Sequence, residues 1–201
     1  MDARRSALLC RTAAAAARGR ADLLRAACAE ALRAGVPLCD LQEAILQVFL
    51  FAGYPRAIVA FETLSAVAPD WTAPPVEAGP PDPEARGREL FERIYGEHSG
   101  RVLDRLEALH PELELFILRD AYGRVLGRPF LPVAERELMA VAMLGVLDLA
   151  PQLRAHVRGA LNVGAAPEEL DHAAAAVAEV AGAERAARTR AVVQELLGDA
   201  T

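Results

Sequence analysis

Aromatic side chains are scarce in this sequence: Phe, Trp and Tyr together make up 5% of its 201 residues. A core must therefore be packed mainly with Ala and Leu, which are also the strongest helix formers. Clusters of Val, Ile, Thr and aromatic residues, which would mark β-strands, are equally rare. The three cysteines, Cys10, Cys28 and Cys39, are odd in number, and their spacings match neither a CxxC pair nor a zinc pattern. Reduced thiols and a cytoplasmic protein are the expectation. A basic excess is also missing. The net charge is −6, so no domain-wide basic face awaits a phosphate backbone and no nucleic-acid partner is expected. The longest apolar run, Leu138 to Leu147, is about half of what a membrane span needs. The N-terminal apolar stretch that follows Arg4 and Arg5 is ended by Arg11, too soon for a secretion signal. No membrane helix and no targeting segment are read.

What is present is a chain that is 53% hydrophobic and 25% charged, the composition of a globular protein with a real core. The arginines are interspersed with acids, as on a solvated helix surface. The expected class is an all-α helical bundle.

The chain also repeats itself. Leu24-Arg-Ala-Ala-Cys-Ala-Glu-Ala-Leu-Arg-Ala-Gly35 aligns with Leu153-Arg-Ala-His-Val-Arg-Gly-Ala-Leu-Asn-Val-Gly164 at an offset of 129 (164 minus 35). The register continues without a gap through Leu41 opposite Leu170, Ala44 opposite Ala173 and Gly53 opposite Gly182. Each unit reads as a helix closed by a glycine C-cap, a short turn, and a second helix apolar on most faces, at 44–52 or 173–181. Such faces are buried in a bundle or between subunits, and they predict an obligate interface.

Residues 69–83 carry six prolines, which exclude a helix and predict a stiff extended linker. Trp71 within it is read as an anchor for the linker. The expected organisation is a first, degenerate repeat over 1–68, the linker over 69–84, and a second, complete repeat over 85–201. Within the second, Glu84 to Leu109 reads as one or two amphipathic helices and Pro111 to Leu126 as another. A turn follows at Gly127-Arg-Pro129, and helices over 135–147 and 151–163 form a pair.

At this point the residues resemble a known family. Leu113 to Leu126 followed by Gly127-Arg-Pro-Phe-Leu131, then Arg136-Glu-Leu138, His156-Val-Arg-Gly-Ala-Leu-Asn162 and Gly164, are similar to the pattern of the carboxymuconolactone decarboxylase family, of the alkylhydroperoxidase D-like superfamily. Arg86-Gly-Arg-Glu-Leu90 and Ile94-Tyr-Gly96 resemble the family's leading helix. The resemblance covers roughly 85 to 185 in full and 20 to 62 in part through the repeat. It implies an all-α alkylhydroperoxidase D-like fold and one of two chemistries. One branch decarboxylates 4-carboxymuconolactone. The other reduces peroxides or recycles disulfides with a CxxC pair, and here the thiol positions fall on Leu149 and Gln152. Thiol redox chemistry needs a thiolate and a resolving partner, so the decarboxylase-like branch is favoured.

Two family positions remain, Glu137 and His156. If helices 135–147 and 151–163 form an antiparallel hairpin, Glu137 stands about 15 Å and His156 about 8 Å from the turn, so tilt and side-chain reach must bring them together. The same register puts Leu8 and Ala27 at these positions in the first copy, which leaves one site per chain. The resemblance makes His156 a general acid/base held by Glu137, in a cofactor-free decarboxylation of a small carboxylated lactone or related acid. Arg128, Tyr122, Arg154 and Arg158 are the candidate substrate-binding groups, the arginines as clamps for a carboxylate. Their ordinary reading is as solvated surface residues. His98, His110 and His172 show no ligand spacing with one another or with His156, so no metal is expected. By analogy with the family's rings of small units, a two-unit chain implies a homotrimer. A different class remains open: a non-catalytic, oligomeric scaffold that has kept the fold and lost the chemistry.

Overall fold

The computed structural model describes residues 2–72, 79 and 81–198. Residues 73–78 and 80 of the predicted linker lie outside the described residues. Helices run in the order α1 (Ala3–Arg18), α2 (Ala21–Arg33), α3 (Leu38–Leu46), α4 (Val48–Val67), α5 (Pro83–Tyr95), a 3-10 turn (Gly96–His98), α6 (Ser99–Leu109) and α7 (Pro111–Phe116). A π-helix (Ile117–Leu126) follows, then α8 (Val133–Leu147), α9 (Ala150–Asn162), α10 (Pro167–Ala181) and α11 (Ala183–Gly198). No strand occurs among the described residues, so the fold is all-α. No single described helix is long and apolar enough to cross a membrane.

The backbone follows the repeat seen in the sequence. Helix α2 spans 21–33 and α9 spans 150–162, the same bounds shifted by 129 (150 minus 21). Left-handed backbone recurs at the same shift, at Gly19 and Asp148 and again at Gly35 and Gly164. The most telling pair is Gly53 (φ 80°, ψ 164°) and Gly182 (φ 92°, ψ 167°). This conformation is open to glycine and strained for other residues. In the second copy it separates α10 from α11, and in the first it kinks α4.

The copies share one core. Helix α1 packs on α8 and α10, and its buried run Ala13–Ala17 lets the neighbouring backbones approach closely. Helix α8 is buried from Glu135 to Val146, so every face of it meets protein. Ser6 Oγ lies 3.3 Å from Glu135 Oε1. These are equivalent positions of the two copies, and such positions touch only near the axis that relates them.

Charge ties the same seam. Arg5 of the first copy pairs with Asp40 (2.7 Å) and with Glu135 of the second. Glu43 of the first is held by Arg136 (2.7 Å) and Arg128 (2.9 Å) of the second. The apolar stretches predicted as a subunit interface are largely consumed by this core. Ala44, Ile45 and Val48, and Ala173, Ala174 and Val177, are all buried within the chain itself. Leu46 and Phe49 to Ala52 of the first stretch remain partly exposed. Of the large exposed apolar side chains, Tyr54, Ile58 and Val59 lie further along α4, and Leu109, Phe116 and Leu149 lie elsewhere. Trp71 is 38% exposed, and beside it Gln42 donates to the Thr72 carbonyl (2.8 Å), tying the linker's start to α3.

Residues 83–126 stand outside the repeated path and form a second apolar cluster around Leu90, Phe91, Ile94, Leu118 and Tyr122. A 3.6-residue periodicity predicts one helix over 111–126. Instead α7 passes into the π-helix, closed by the i→i+5 bond from Gly127 N to the Tyr122 carbonyl (2.8 Å). The π-helix presses on α5 at two glycines. A Cβ on Gly87 would lie 1.8 Å from the Leu118 carbonyl oxygen, and one on Gly123 would lie 1.9 Å from that of Pro83. Both obstacles are backbone, which cannot swing aside. Gly87→Ala and Gly123→Ala should each cost about 3 kcal/mol and lower the melting temperature by roughly 5–10 °C, whereas Gly100→Ala, with nothing within 4 Å, should leave it unchanged or slightly raised. Unaltered melting of the first two variants would show that this contact is not tight.

Candidate functional site

Glu137 lies in the second turn of α8, and His156 in the middle of α9. The left-handed Asp148 (φ 63°) turns the chain between the two helices, and His156 Nδ1 comes to 2.8 Å from Glu137 Oε2. With the carboxylate as acceptor, the imidazole hydrogen sits on Nδ1, and Nε2 is left for exchange with a ligand.

Glycine makes the approach possible. Gly159 is one turn beyond His156, and a Cβ there would stand 2.8 Å from both Glu137 Oε2 and Ile94 Cγ2. The sequence reading did not single it out, although its place three residues after a candidate histidine is a signal for close helix contact.

The environment is apolar and nearly dry. Glu137 is 0% exposed and His156 9%. Phe51 meets the imidazole edge-on, with ring centroids 5.4 Å apart. The other carboxylate oxygen, Glu137 Oε1, is buried without a hydrogen-bond partner among the described residues. A buried acceptor left unpaired costs on the order of 1–3 kcal/mol, and such groups concentrate where a ligand or a reaction uses them.

Of the four candidate substrate groups, Tyr122 is buried, and its hydroxyl donates to that of Tyr95 (3.1 Å). Tyr95 was missed in the sequence reading because its role depends on the π-helix that delivers Tyr122 to it. Burial pushes the Tyr95 hydroxyl up to about 12, and the carboxylate of Glu137 nearby acts in the same direction. Tyr122 is raised as well, chiefly by burial. Arg128 is committed to Glu43, with Nε 3.0 Å from both carboxylate oxygens, and its guanidinium lies over the Phe130 ring. Arg154 is held by Glu195 of α11. Each of these two arginines already grips a carboxylate of the chain itself, a physical reason against service as a clamp for substrate. Arg158 is exposed, in a cleft beside Tyr95.

The thiols stand apart from this site. Cys10 and Cys28 are buried, with the latter's thiol pushed up to about 12 by desolvation, and Cys39 is exposed. Buried, protonated thiols are poor nucleophiles.

Comparison with known proteins agrees with this architecture. The sequence profile of the carboxymuconolactone decarboxylase family matches residues 114–195, and this segment is similar to that family. Proteins named "Peroxisomal protein 2" from Schizosaccharomyces pombe and Saccharomyces cerevisiae are similar to it. The first is 33% identical over 134 residues, covering 65% of this chain and 63% of the relative. The second is 29% identical over 159 residues, covering 65% and 56%. The 4-carboxymuconolactone decarboxylase of Acinetobacter baylyi is 36% identical over 86 residues, covering 42% of this chain and 64% of that protein. The chain thus spans a little under two thirds of each of these relatives at most.

The tyrosine pair predicts a pH dependence. In the unfolded chain both hydroxyls ionise near the ordinary value of about 10, whereas in the folded chain burial pushes Tyr95 up to about 12 and raises Tyr122 in the same direction. The pair's contribution to stability is therefore complete below about pH 10 and is lost as the pH climbs towards 12. Denaturant unfolding at about pH 9 and about pH 11.5 should show that fall, reduced in the Tyr95→Phe, Tyr122→Phe double variant. The same fall in both proteins would mean that these hydroxyls are not the groups responsible.

Proposed function

We propose that this protein is a cofactor-free decarboxylase-like enzyme acting on a small carboxylated lactone or a related acid, with His156 as general acid/base and Glu137 as the group that orients it. One observation carries the reading: a buried Glu137–His156 hydrogen bond of 2.8 Å in which the second carboxylate oxygen has no partner among the described residues. Such an arrangement is costly to keep in a core and has a use in proton transfer. Support also comes from the family match and from a relative whose name states the reaction.

The chemistry sets the requirements. The C–C bond to the carboxylate breaks, CO2 leaves, and the bonding electron pair remains on carbon, delocalised into the lactone carbonyl as a dienolate. A proton must then reach carbon. Protonated His156 delivers it from Nε2 and recovers it from water, while Glu137 accepts from Nδ1 throughout and steadies the imidazolium. An enclosed apolar site strengthens both interactions.

A second reading, a non-catalytic oligomeric scaffold of the same family, is favoured by the first copy, which has Leu8 and Ala27 at the positions of Glu137 and His156; on α4, Tyr54, Ile58 and Val59 form an apolar face, exposed by 67%, 57% and 48%. Helix α11 carries Ala183, Ala187 and Arg188 at the equivalent positions. Under either reading the chain assembles as a homotrimer through this face. Light scattering on the purified protein should give three times the chain mass, and Ile58→Glu should reduce it. A wild-type protein that runs as a monomer ends the trimer proposal. The cytoplasmic expectation belongs to the same proposal; two relatives carry names that refer to the peroxisome.

The deciding assay follows ultraviolet absorbance of 4-carboxymuconolactone with wild type, His156→Ala and Glu137→Gln. Turnover is expected in the wild type, with a loss of 10²-fold or more in His156→Ala and a smaller loss in Glu137→Gln, the scale of general acid–base catalysis. Turnover that survives His156→Ala removes the histidine from the mechanism. No turnover by the wild type removes this substrate and leaves the scaffold reading in front.

A further inference from the structure

The three aromatic residues around the kink of α4 belong to the first copy alone. Phe49, Phe51 and Tyr54 stand where the second copy has Ala178, Val180 and Ala183. The titratable pair is distributed the other way, since Glu137 and His156 stand where the first copy has Leu8 and Ala27. The two asymmetries meet at one contact, the ring of Phe51 against the imidazole of His156.

The kink frames that contact. Gly53 breaks the helical path of α4 (φ 80°, ψ 164°), and Phe49 stacks on Tyr54 across the break, with ring centroids 4.8 Å apart and planes 7° from parallel. Phe51 lies between them in sequence, partly buried and packed on the core that the copies share. Its ring stands at 70° to the imidazole with a centroid separation of 5.4 Å, the edge-to-face arrangement that aromatic pairs prefer.

A single hydrogen bond fixes one point of an imidazole. The χ2 torsion of histidine is broad and roughly two-fold, so the Nδ1 bond to Glu137 by itself leaves the ring free to tilt and Nε2 free to swing. A second contact from another direction removes that freedom. Glu137 reaches His156 from α8 and Phe51 reaches it from α4.

We propose that Phe51 is a positioning residue for His156: the first copy, which has no acid–base pair of its own, supplies the aromatic contact that keeps the imidazole on Glu137 and aims Nε2. Its consequence for catalysis rests on the acid–base reading; its hold on the ring does not.

Proton NMR of the full-length protein tests this without substrate. The Nδ1 proton of His156 should give a downfield signal that exchanges slowly with water and vanishes in His156→Ala. Phe51→Leu keeps the position apolar but removes the ring, and exchange of that proton should quicken about threefold to tenfold, the scale of one aromatic pair. Phe51→Tyr keeps the ring and should exchange as wild type does. Phe116→Leu, at an exposed position on α7, should also match wild type. Circular dichroism verifies that each variant folds. With 4-carboxymuconolactone, Phe51→Leu should lower kcat by about the same factor with KM unchanged, and Phe51→Tyr should restore it. Exchange needs no turnover, so it decides the inference even where the decarboxylase reading fails. A wild-type exchange rate in Phe51→Leu, an equal rise in the Leu and Tyr variants, or an Nδ1 proton that already exchanges too fast to observe in the wild type would each overturn it.

Discussion

Arg136 is wholly buried and Glu43 is 3% exposed, and the two come from different copies of the repeat. A buried charge without its partner costs several kcal/mol. The copies are therefore not independent bodies: separating them would break Arg136 from Glu43 and Arg5 from Glu135. These pairs are better seen as setting register than as adding much net stability, since desolvation offsets most of their attraction. They fix helix α8 against the first copy, and α8 carries Glu137. The geometry of the candidate site is thus set at the seam rather than within one unit.

From that seam the two copies diverge. The first contributes helix α1, whose buried alanines admit α8 and α10 closely, and Phe51, which meets His156. It has no titratable group at the positions of Glu137 and His156. The second copy keeps that pair and is flanked by residues 83–126, which have no counterpart in the first. The π-helix of that segment carries Tyr122, and α5 carries Tyr95. One copy lacks the Glu–His pair and the other keeps it, and the added segment brings Tyr95 and Tyr122 together.

Much of the frame was legible in residue order. The helices, the offset that relates α2 to α9, and the special backbone at Gly53 and Gly182 all leave local or periodic marks. The pairing of Glu137 with His156 came through family resemblance, because the hairpin estimate allowed contact without requiring it. The π-helix was not legible. Its residues have ordinary helical patterning, and the register change accompanies the contact of Gly87 and Gly123 with the opposing backbone. The roles of Arg128 and Arg154 were not legible either, since exposed and buried arginines look alike in a sequence.

The sequence by itself determined the all-α class, the duplicated path and which copy could hold a titratable pair, because these depend on propensity, period and residue identity. Only the tertiary structure decided which arginines are spent on the chain's own carboxylates and which face a cleft. Glu43 meets Arg128 and Arg136 across 85 and 93 residues of chain, and an ion pair at that separation is set by packing and by the need to neutralise buried charge, neither of which a local pattern records.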